Sequence, residues 1–121
     1  MDKNDFEKIM YIKQYCEDIA ATINRCNNSY DVFINDIDFY NSISMSLMQI
    51  GELTIKLSDN FKNATQTRIS WNMIKGMRNH FAHGYATMDK SDIWATAIND
   101  IPDLLIFCIE IINENNEYGI I

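Results

Sequence analysis

Residues that interrupt helices are scarce in this chain, which has one proline and four glycines among its 121 residues. That scarcity favours helices, and a hydrophobic content of 47% is enough to build a core in a chain of this length. We expect a single domain over residues 1–121, without internal repeats or low-complexity segments.

Metal-binding side chains are also few, with two histidines and three cysteines in the whole chain. Cys16, Cys26 and Cys108 lie far apart in apolar stretches and have no paired ligand spacing, so buried thiols are predicted. The sequence also lacks a glycine-rich phosphate loop. We therefore expect neither a metal nor a cofactor, and no nucleotide transfer by this chain alone.

Long apolar runs are missing as well, and the first residues, Met1 to Asp5, are mostly charged or polar. A signal peptide needs an apolar core segment, and a membrane span needs about 20 apolar residues. The expected location is therefore the cytoplasm, with no membrane partner.

Positively charged residues are few. The chain has ten Lys and Arg residues against 17 Asp and Glu residues, so its net charge is −7. Such a balance opposes a broad nucleic-acid-binding surface, which normally needs many basic contacts. The charges are unevenly distributed, however, since no Asp or Glu occurs from Asn60 to Met88. That stretch contains Lys62, Arg68, Lys75 and Arg78. The sequence therefore predicts a local cationic patch on an acidic body.

Apolar residues recur at three- and four-residue steps in four segments, a spacing typical of amphipathic helices. The first segment runs from about Asp5 to Asn27 and the second from about Asp38 to Leu57. The third begins at Ser70, a predicted N-cap, and ends at Gly84, while Ser91 caps a fourth that bends or restarts at Pro102. The connecting segments, Tyr30–Asp38 and Ser58–Thr67, lack this period. The pattern predicts an all-α fold, an antiparallel four-helix bundle with room for a fifth short helix.

Gly51 interrupts the second predicted helix, where glycine costs about 1 kcal/mol relative to alanine. A glycine at such a position suggests the close approach of another backbone. Glu52 follows it and has two interpretations, a solvated surface residue or a side chain that faces a functional site.

The third predicted helix contains the most informative residues, Trp71, Ile74, Gly76, Met77, Arg78, Asn79, His83 and, just beyond its end, Tyr85. Arg78 keeps its charge at physiological pH and can bind phosphate oxygens, while His83 can exchange a proton near neutrality. On an ideal helix Asn79 and His83 share a face, whereas Arg78 and His83 are about 140° apart. Taken singly, Arg78 fits a solvated helix residue and His83 a helix cap; together they indicate a site that handles phosphate.

This segment resembles the signature of HEPN domains, and of HepT-like toxins in particular. The shared pattern is Arg78-Asn79, a histidine five positions after the arginine and Tyr85 two positions beyond that histidine. The further points of likeness are Gly51-Glu52, Trp94 and Asp100-Ile101-Pro102 with Leu105, so the resemblance covers roughly the whole chain. It implies a HEPN-type bundle and a metal-independent endoribonuclease. Its catalytic residues would be Arg78, His83 and Asn79, with Glu52 in support and His80 replaceable.

The resemblance also implies a biological setting, the toxin half of a type VII-like toxin-antitoxin system. The substrate would be RNA rather than DNA, and the active site would form at the interface of a homodimer. A cognate MNT-type nucleotidyltransferase antitoxin would adenylylate Tyr85 and silence the toxin, because added phosphate occupies the place of the RNA phosphate.

Two other functions stay open on the sequence. One is a non-catalytic HEPN subunit that binds a nucleotide or substrate for a nucleotidyltransferase complex, and the acidic charge balance fits it well. The other is a structural dimerisation bundle. The combination of Arg78, His83 and Tyr85 favours the ribonuclease, because a scaffold has no need of it.

Overall fold

The computed structural model describes residues 1–84 and 87–116, and most of these residues are helical. In chain order the helices are α1 (Lys3–Arg25), α2 (Tyr30–Ile34), α3 (Ile37–Ile55), α4 (Asp59–Thr65), α5 (Trp71–Gly84), α6 (Lys90–Ala95) and α7 (Ile101–Glu114), with a π-helical segment, Thr96–Asp100, between α6 and α7. The predicted all-α bundle is thereby confirmed. Among the described residues, no helix has both the length and the apolar character needed to cross a bilayer.

Polar contacts at both ends of α1 show that α1 and α3 run in opposite directions. At the start of α1 the buried carboxylate of Asp5 accepts a hydrogen bond from the Ser58 N–H, just beyond α3, at 2.9 Å. At the other end Thr22 and the Ser42 hydroxyl, near the start of α3, are 3.3 Å apart. These bonds fix the two helices as an antiparallel pair.

The core consists of the apolar stripes that the periodicity predicts. α1 contributes Phe6, Ile9, Ile12, Cys16 and Ile19, α3 contributes Tyr40, Ile43, Leu47 and Ile50, and α7 contributes Ile101, Leu104, Phe107, Cys108, Ile111 and Ile112. All three cysteines are buried and unpaired, as predicted. Met45 of α3 lies outside this core and is 53% exposed.

Both segments predicted as irregular connections contain a short helix, and an aromatic residue explains each one. Phe33 of α2 is fully buried, with its ring centroid 4.9 Å from that of Trp94. Phe61 of α4 is buried beside Trp71, at 6.0 Å between ring centroids. Serine side chains cap both helices, accepting N–H bonds at Val32 and Phe61. Because each short helix buries little beyond its aromatic residue, neither produces a period that the sequence reveals.

The last helical stretch is continuous from α6 to α7 but changes its winding before Pro102. The N–H of Ile101 donates to the carbonyl of Thr96, five residues earlier, so the π-helical turn is wider than an α-helical one. Pro102 lies in the first turn of α7, where its missing N–H costs least. The sequence predicted a bend or a restart at Pro102, and a new α-helical segment does begin at Ile101, directly before it. The predicted cap is wrong, because Asp89, not Ser91, caps α6.

The helices α3 and α5 approach each other closely at Gly51. A Cβ atom built on Gly51 would lie 2.7 Å from the Cβ and 3.0 Å from the Cγ of Arg78. Non-bonded carbon atoms prefer about 3.5–4.0 Å, so only a glycine fits here without a shift of one helix. The close approach that Gly51 suggested is therefore present, and its neighbour is Arg78.

We expect Gly51→Ala to lower the free energy of unfolding by about 1–3 kcal/mol, because overpacking against Arg78 outweighs the better helix propensity of alanine. The matched control is Gly76→Ala on α5, where the added methyl group meets no atom within 4 Å apart from its chain neighbours and the backbone of its own helix. That variant should be neutral or more stable by up to about 1 kcal/mol. Urea unfolding of both variants makes the comparison, and equal stabilities would contradict the tight contact.

Candidate functional site

α5 carries the predicted catalytic residues and contacts the bundle along one side only. Trp71 in its first turn and Phe81 in its third are buried. Its other side is exposed, at Asn72, Lys75, Gly76, His80 and His83. An amphipathic helix at the edge of a bundle thus presents polar and titratable side chains to solvent.

Arg78 is anchored to α3. Its Nε donates to Oε1 of Glu52 at 2.7 Å, and its Nη1 donates to Oδ1 of Asn79 at 3.3 Å. Glu52 follows Gly51 directly, so the glycine that admits Arg78 also places the carboxylate within its reach. The structure therefore brings Arg78, Asn79 and Glu52 together, and neither bond uses Nη2 of the guanidinium.

The Arg78 and Glu52 side chains remain accessible, at 32% and 47% exposure. An ion pair exposed to this degree contributes only about 0–1 kcal/mol to stability. Orientation is the larger effect, because an arginine side chain that is free to rotate loses conformational entropy when it binds a phosphate. Glu52 reduces that loss by holding the guanidinium before any ligand arrives.

His83 lies in the last turn of α5 and is exposed. Among the hydrogen bonds of the described residues, none joins its ring to Arg78 or Asn79. Helical geometry places it one turn beyond Asn79 on the same face, and about 7.5 Å along the axis from Arg78. Within one protomer His83 is therefore near the arginine cluster without being part of it.

Tyr85, predicted as the modification site, lies outside the described residues. Gly84 ends α5 as predicted, and Ser70 caps its start by accepting the Met73 N–H at 3.4 Å. The helix that holds the motif is thus defined at both ends by predicted residues.

A small recess of about 160 Å³ adjoins the ion pair and was not predicted. Its wall includes Met48 and Gln49 of α3 and Phe81 of α5, beside Arg78 and Glu52. Gln49 precedes Glu52 by three residues, so both lie on one helix face. That spacing is the signal in the sequence that identifies Gln49 as a neighbour of the site.

Arg68, one of the four residues of the predicted cationic patch, is paired with carboxylates. Its Nη2 lies 2.9 Å from Glu114 and 3.2 Å from Glu110 on α7. Hydrogen bonds and the charges of these carboxylates raise the pKa of Arg68. Because two carboxylates already engage this guanidinium, Arg68 is poorly placed to bind an external anion, and the patch reduces to Lys62, Lys75 and Arg78.

The cysteines offer no reactive thiol near the motif. Burial raises the pKa of Cys108 to about 12, and burial also raises the pKa of Cys16, with a contribution from Cys108. A thiol whose pKa is this high is not a thiolate at neutral pH. Across residues 1–84 and 87–116, no group of three or more His, Cys, Asp or Glu side chains is arranged to hold a metal ion.

Comparison with known proteins identifies the family. Residues 12–111 match the family described as Ribonuclease HepT-like. The chain is 29% identical over 94 residues to "Putative RNase TTE0752" of Caldanaerobacter subterraneus subsp. tengcongensis, an alignment that covers 78% of this chain and 81% of that protein. It is 30% identical over 105 residues to "Putative RNase MJ1216" of Methanocaldococcus jannaschii, covering 86% and 84%. No solved structure gives a significant match.

The family match over residues 12–111 and the similarity to these two relatives show that the chain belongs to the HepT-like ribonuclease family.

Proposed function

We propose that the protein is a metal-independent endoribonuclease and the toxin of a toxin-antitoxin pair. The observation that carries this proposal is the anchored guanidinium of Arg78, with Asn79 beside it and His83 on the outward side of the same helix. Membership of a ribonuclease family supports the reaction class.

The reaction is an internal transesterification followed by release of one RNA fragment. A neutral imidazole removes the proton of a ribose 2′-hydroxyl, and the 2′-oxygen bonds to the adjacent phosphorus while the bond from phosphorus to the 5′-oxygen breaks. A protonated imidazole gives its proton to that 5′-oxygen. The products are a 2′,3′-cyclic phosphate and a free 5′-hydroxyl, so no metal, oxidant or co-substrate is consumed.

Arg78 stabilises the negative charge that builds up on the phosphate oxygens during this step. A preorganised cation is most effective when it needs no rearrangement at the moment of reaction, and Glu52 supplies that preorganisation. Asn79 holds one edge of the guanidinium, and its amide also has N–H groups that can donate to a phosphate oxygen.

A homodimer supplies the second imidazole that the chemistry needs. His83 is one histidine, and acting as both base and acid in a single turnover requires two imidazoles in different protonation states. The exposed side of α5 supports a two-fold interface, because the apolar side chain of Met73 is 65% exposed there. Two copies of α5 meeting there would place both His83 and both Arg78 residues in one cleft.

Regulation by a nucleotidyltransferase antitoxin is the remaining part of the proposal. The partner would supply ATP, the hydroxyl oxygen of Tyr85 would bond to the α-phosphorus, and pyrophosphate would leave. Tyr85 is two positions after His83, so the attached AMP would bring a phosphate next to the catalytic groups. A bound negative charge there repels RNA phosphate and blocks the cleft.

We expect His83→Ala to lower the rate of RNA cleavage about 10²–10⁴-fold, because it removes the acid and base groups. The matched control is His80→Ala, which removes the other exposed imidazole of α5 and should leave the rate unchanged. The measurement is cleavage of total RNA in EDTA by the purified, unmodified protein, with analysis of the new RNA ends. Cleavage that is equal in wild type and His83→Ala would reject the catalytic assignment and favour a non-catalytic binding subunit.

The same variant tests the composite site. When wild-type and His83→Ala protomers are mixed and allowed to exchange, activity should follow the square of the wild-type fraction, because mixed dimers have one imidazole. Activity proportional to the wild-type fraction itself would show that each protomer is catalytically independent.

Glu52→Ala should lower kcat about tenfold without raising KM, because Arg78 then reaches its catalytic position only part of the time. Glu52→Gln keeps an oxygen that can accept the Arg78 Nε–H and should recover most of the loss. Single-turnover kinetics on a defined RNA measure both parameters. An increase in KM with constant kcat would mean that Glu52 contributes to RNA binding and does not position Arg78.

Tyr85→Phe should escape modification, because the acceptor hydroxyl is gone. The protein is co-expressed with its nucleotidyltransferase, and intact-mass spectrometry detects the added AMP. Tyr11→Phe is the control, since Tyr11 is 61% exposed on α1 and its loss should not affect the modification. AMP that persists on Tyr85→Phe would assign the acceptor to another residue.

A further inference from the structure

A cavity of about 650 Å³ lies beside the proposed catalytic residues and not on them. Its wall is formed by the end of α3, by α4 and by the first turns of α5. The residues that matter for its chemistry are Thr54, Asp59, Lys62, Trp71, Asn72 and Lys75. Its lining is mostly polar, so it suits a hydrated, charged ligand better than an apolar one.

Three basic residues line this cavity, and Lys62 and Lys75 supply its available positive charge, because Arg68 is already paired with Glu110 and Glu114. Lys62 contacts the backbone carbonyl of Thr54 at 3.5 Å, and two of its three N–H groups remain for a ligand. Within the described parts of the chain, Lys75 has no ion pair. The carboxylate of Asp59 also lines the cavity and offsets part of this charge. A net positive cavity in a chain whose net charge is −7 marks a place where a polyanion meets attraction.

Backbone donors reinforce the lysines. The first N–H groups of an α-helix have no partner within the helix, and the positive end of its dipole attracts anions. In α5 the Ser70 hydroxyl takes the N–H of Met73, while Trp71 and Asn72 belong to the same first turn and line the cavity. Helix N-termini of this kind bind phosphate.

The cavity is aligned with the proposed catalytic cluster. Lys75 precedes Arg78 by one turn of α5, a spacing of about 5–6 Å between Cβ atoms. On α3, Thr54 and Ile55 lie one turn beyond Gly51 and Glu52. A strand whose scissile phosphate binds Arg78 can therefore continue along α5 and place its next phosphates against Lys75 and Lys62.

We propose that this cavity is a subsite for the backbone phosphates of single-stranded RNA next to the scissile linkage, with Lys75 and Lys62 as its cationic ligands. The inference rests on the proposed ribonuclease function, since RNA is the polyanion that function brings to Arg78. The subsite fixes the position of the strand and reads no base, because phosphate contacts carry no direct sequence information.

Equilibrium binding of a fluorescent 12-nucleotide single-stranded RNA tests the subsite. The His83→Ala background keeps the RNA intact during the measurement. Adding Lys75→Gln or Lys62→Gln should raise the Kd about fivefold each and should lower the slope of log K against log salt by about 0.7 per lost phosphate contact. Lys75→Arg keeps the charge and should restore most of the affinity.

Lys13→Gln is the matched control, because it changes the net charge equally on α1, where Lys13 pairs with Glu17 at 3.3 Å. Long-range electrostatics alone would make all three Gln variants equal, and that result would overturn the subsite. Inorganic phosphate forms a separate arm of the test. The opposing result would be that phosphate raises the melting temperature of the wild type but not of the lysine variants, while RNA binds all of them equally. In that case the cavity is a free-anion site and the inference fails.

Measurements of RNA binding and of RNA cleavage test the subsite and the ribonuclease function separately. RNA that binds through Lys62 and Lys75 but is never cleaved by the wild-type protein would refute the ribonuclease and retain the subsite. Cleavage by the wild type combined with lysine variants that match Lys13→Gln would refute the subsite and retain the ribonuclease.

Discussion

The contact between Gly51 and Arg78 is the constraint on which the site depends. It lets α5 lie so close to α3 that the Arg78 side chain begins in van der Waals contact with the α3 backbone. The next residue along α3, Glu52, then meets the guanidinium at 2.7 Å. Gly51 and Glu52 therefore act as a pair, in which one residue admits the arginine and the other orients it. A methyl group at residue 51 would disturb both packing and orientation.

Helix periodicity in the sequence predicted the long elements of the fold but not the short ones. The bounds of α1, α3 and α5 agree with the predicted segments to within a few residues. The fourth predicted segment corresponds to α6, the π-helical turn and α7 together. α2 and α4 escaped prediction because each buries essentially one aromatic side chain, Phe33 or Phe61. A single buried ring produces no periodic pattern of apolar residues in the sequence. Its burial depends on partners such as Trp94, which lies about 60 residues further along the chain.

The candidate site could be predicted only in part, because a local sequence pattern does not show contacts between residues that are far apart in the chain. Arg78 and Asn79 are neighbours in the sequence, and Gly51 indicated the close approach of another backbone to α3. No local pattern shows that Arg68 is held by Glu110 and Glu114, which are 42 and 46 residues further on. The cationic patch was therefore predicted with one member too many. The role of Tyr85 stays a prediction from the motif.

The π-helical segment before Pro102 has a consequence for changes in chain length. A turn closed by a bond from Ile101 to Thr96 contains one residue more than an α-helical turn. Deleting a residue there would convert the segment to regular α-helix while keeping the apolar faces of α6 and α7 in register. Pro102 opposes that deletion, because its ring would then press on a carbonyl four residues earlier in a regular helix. A shorter relative with an uninterrupted final helix would therefore be expected to carry another residue in place of this proline.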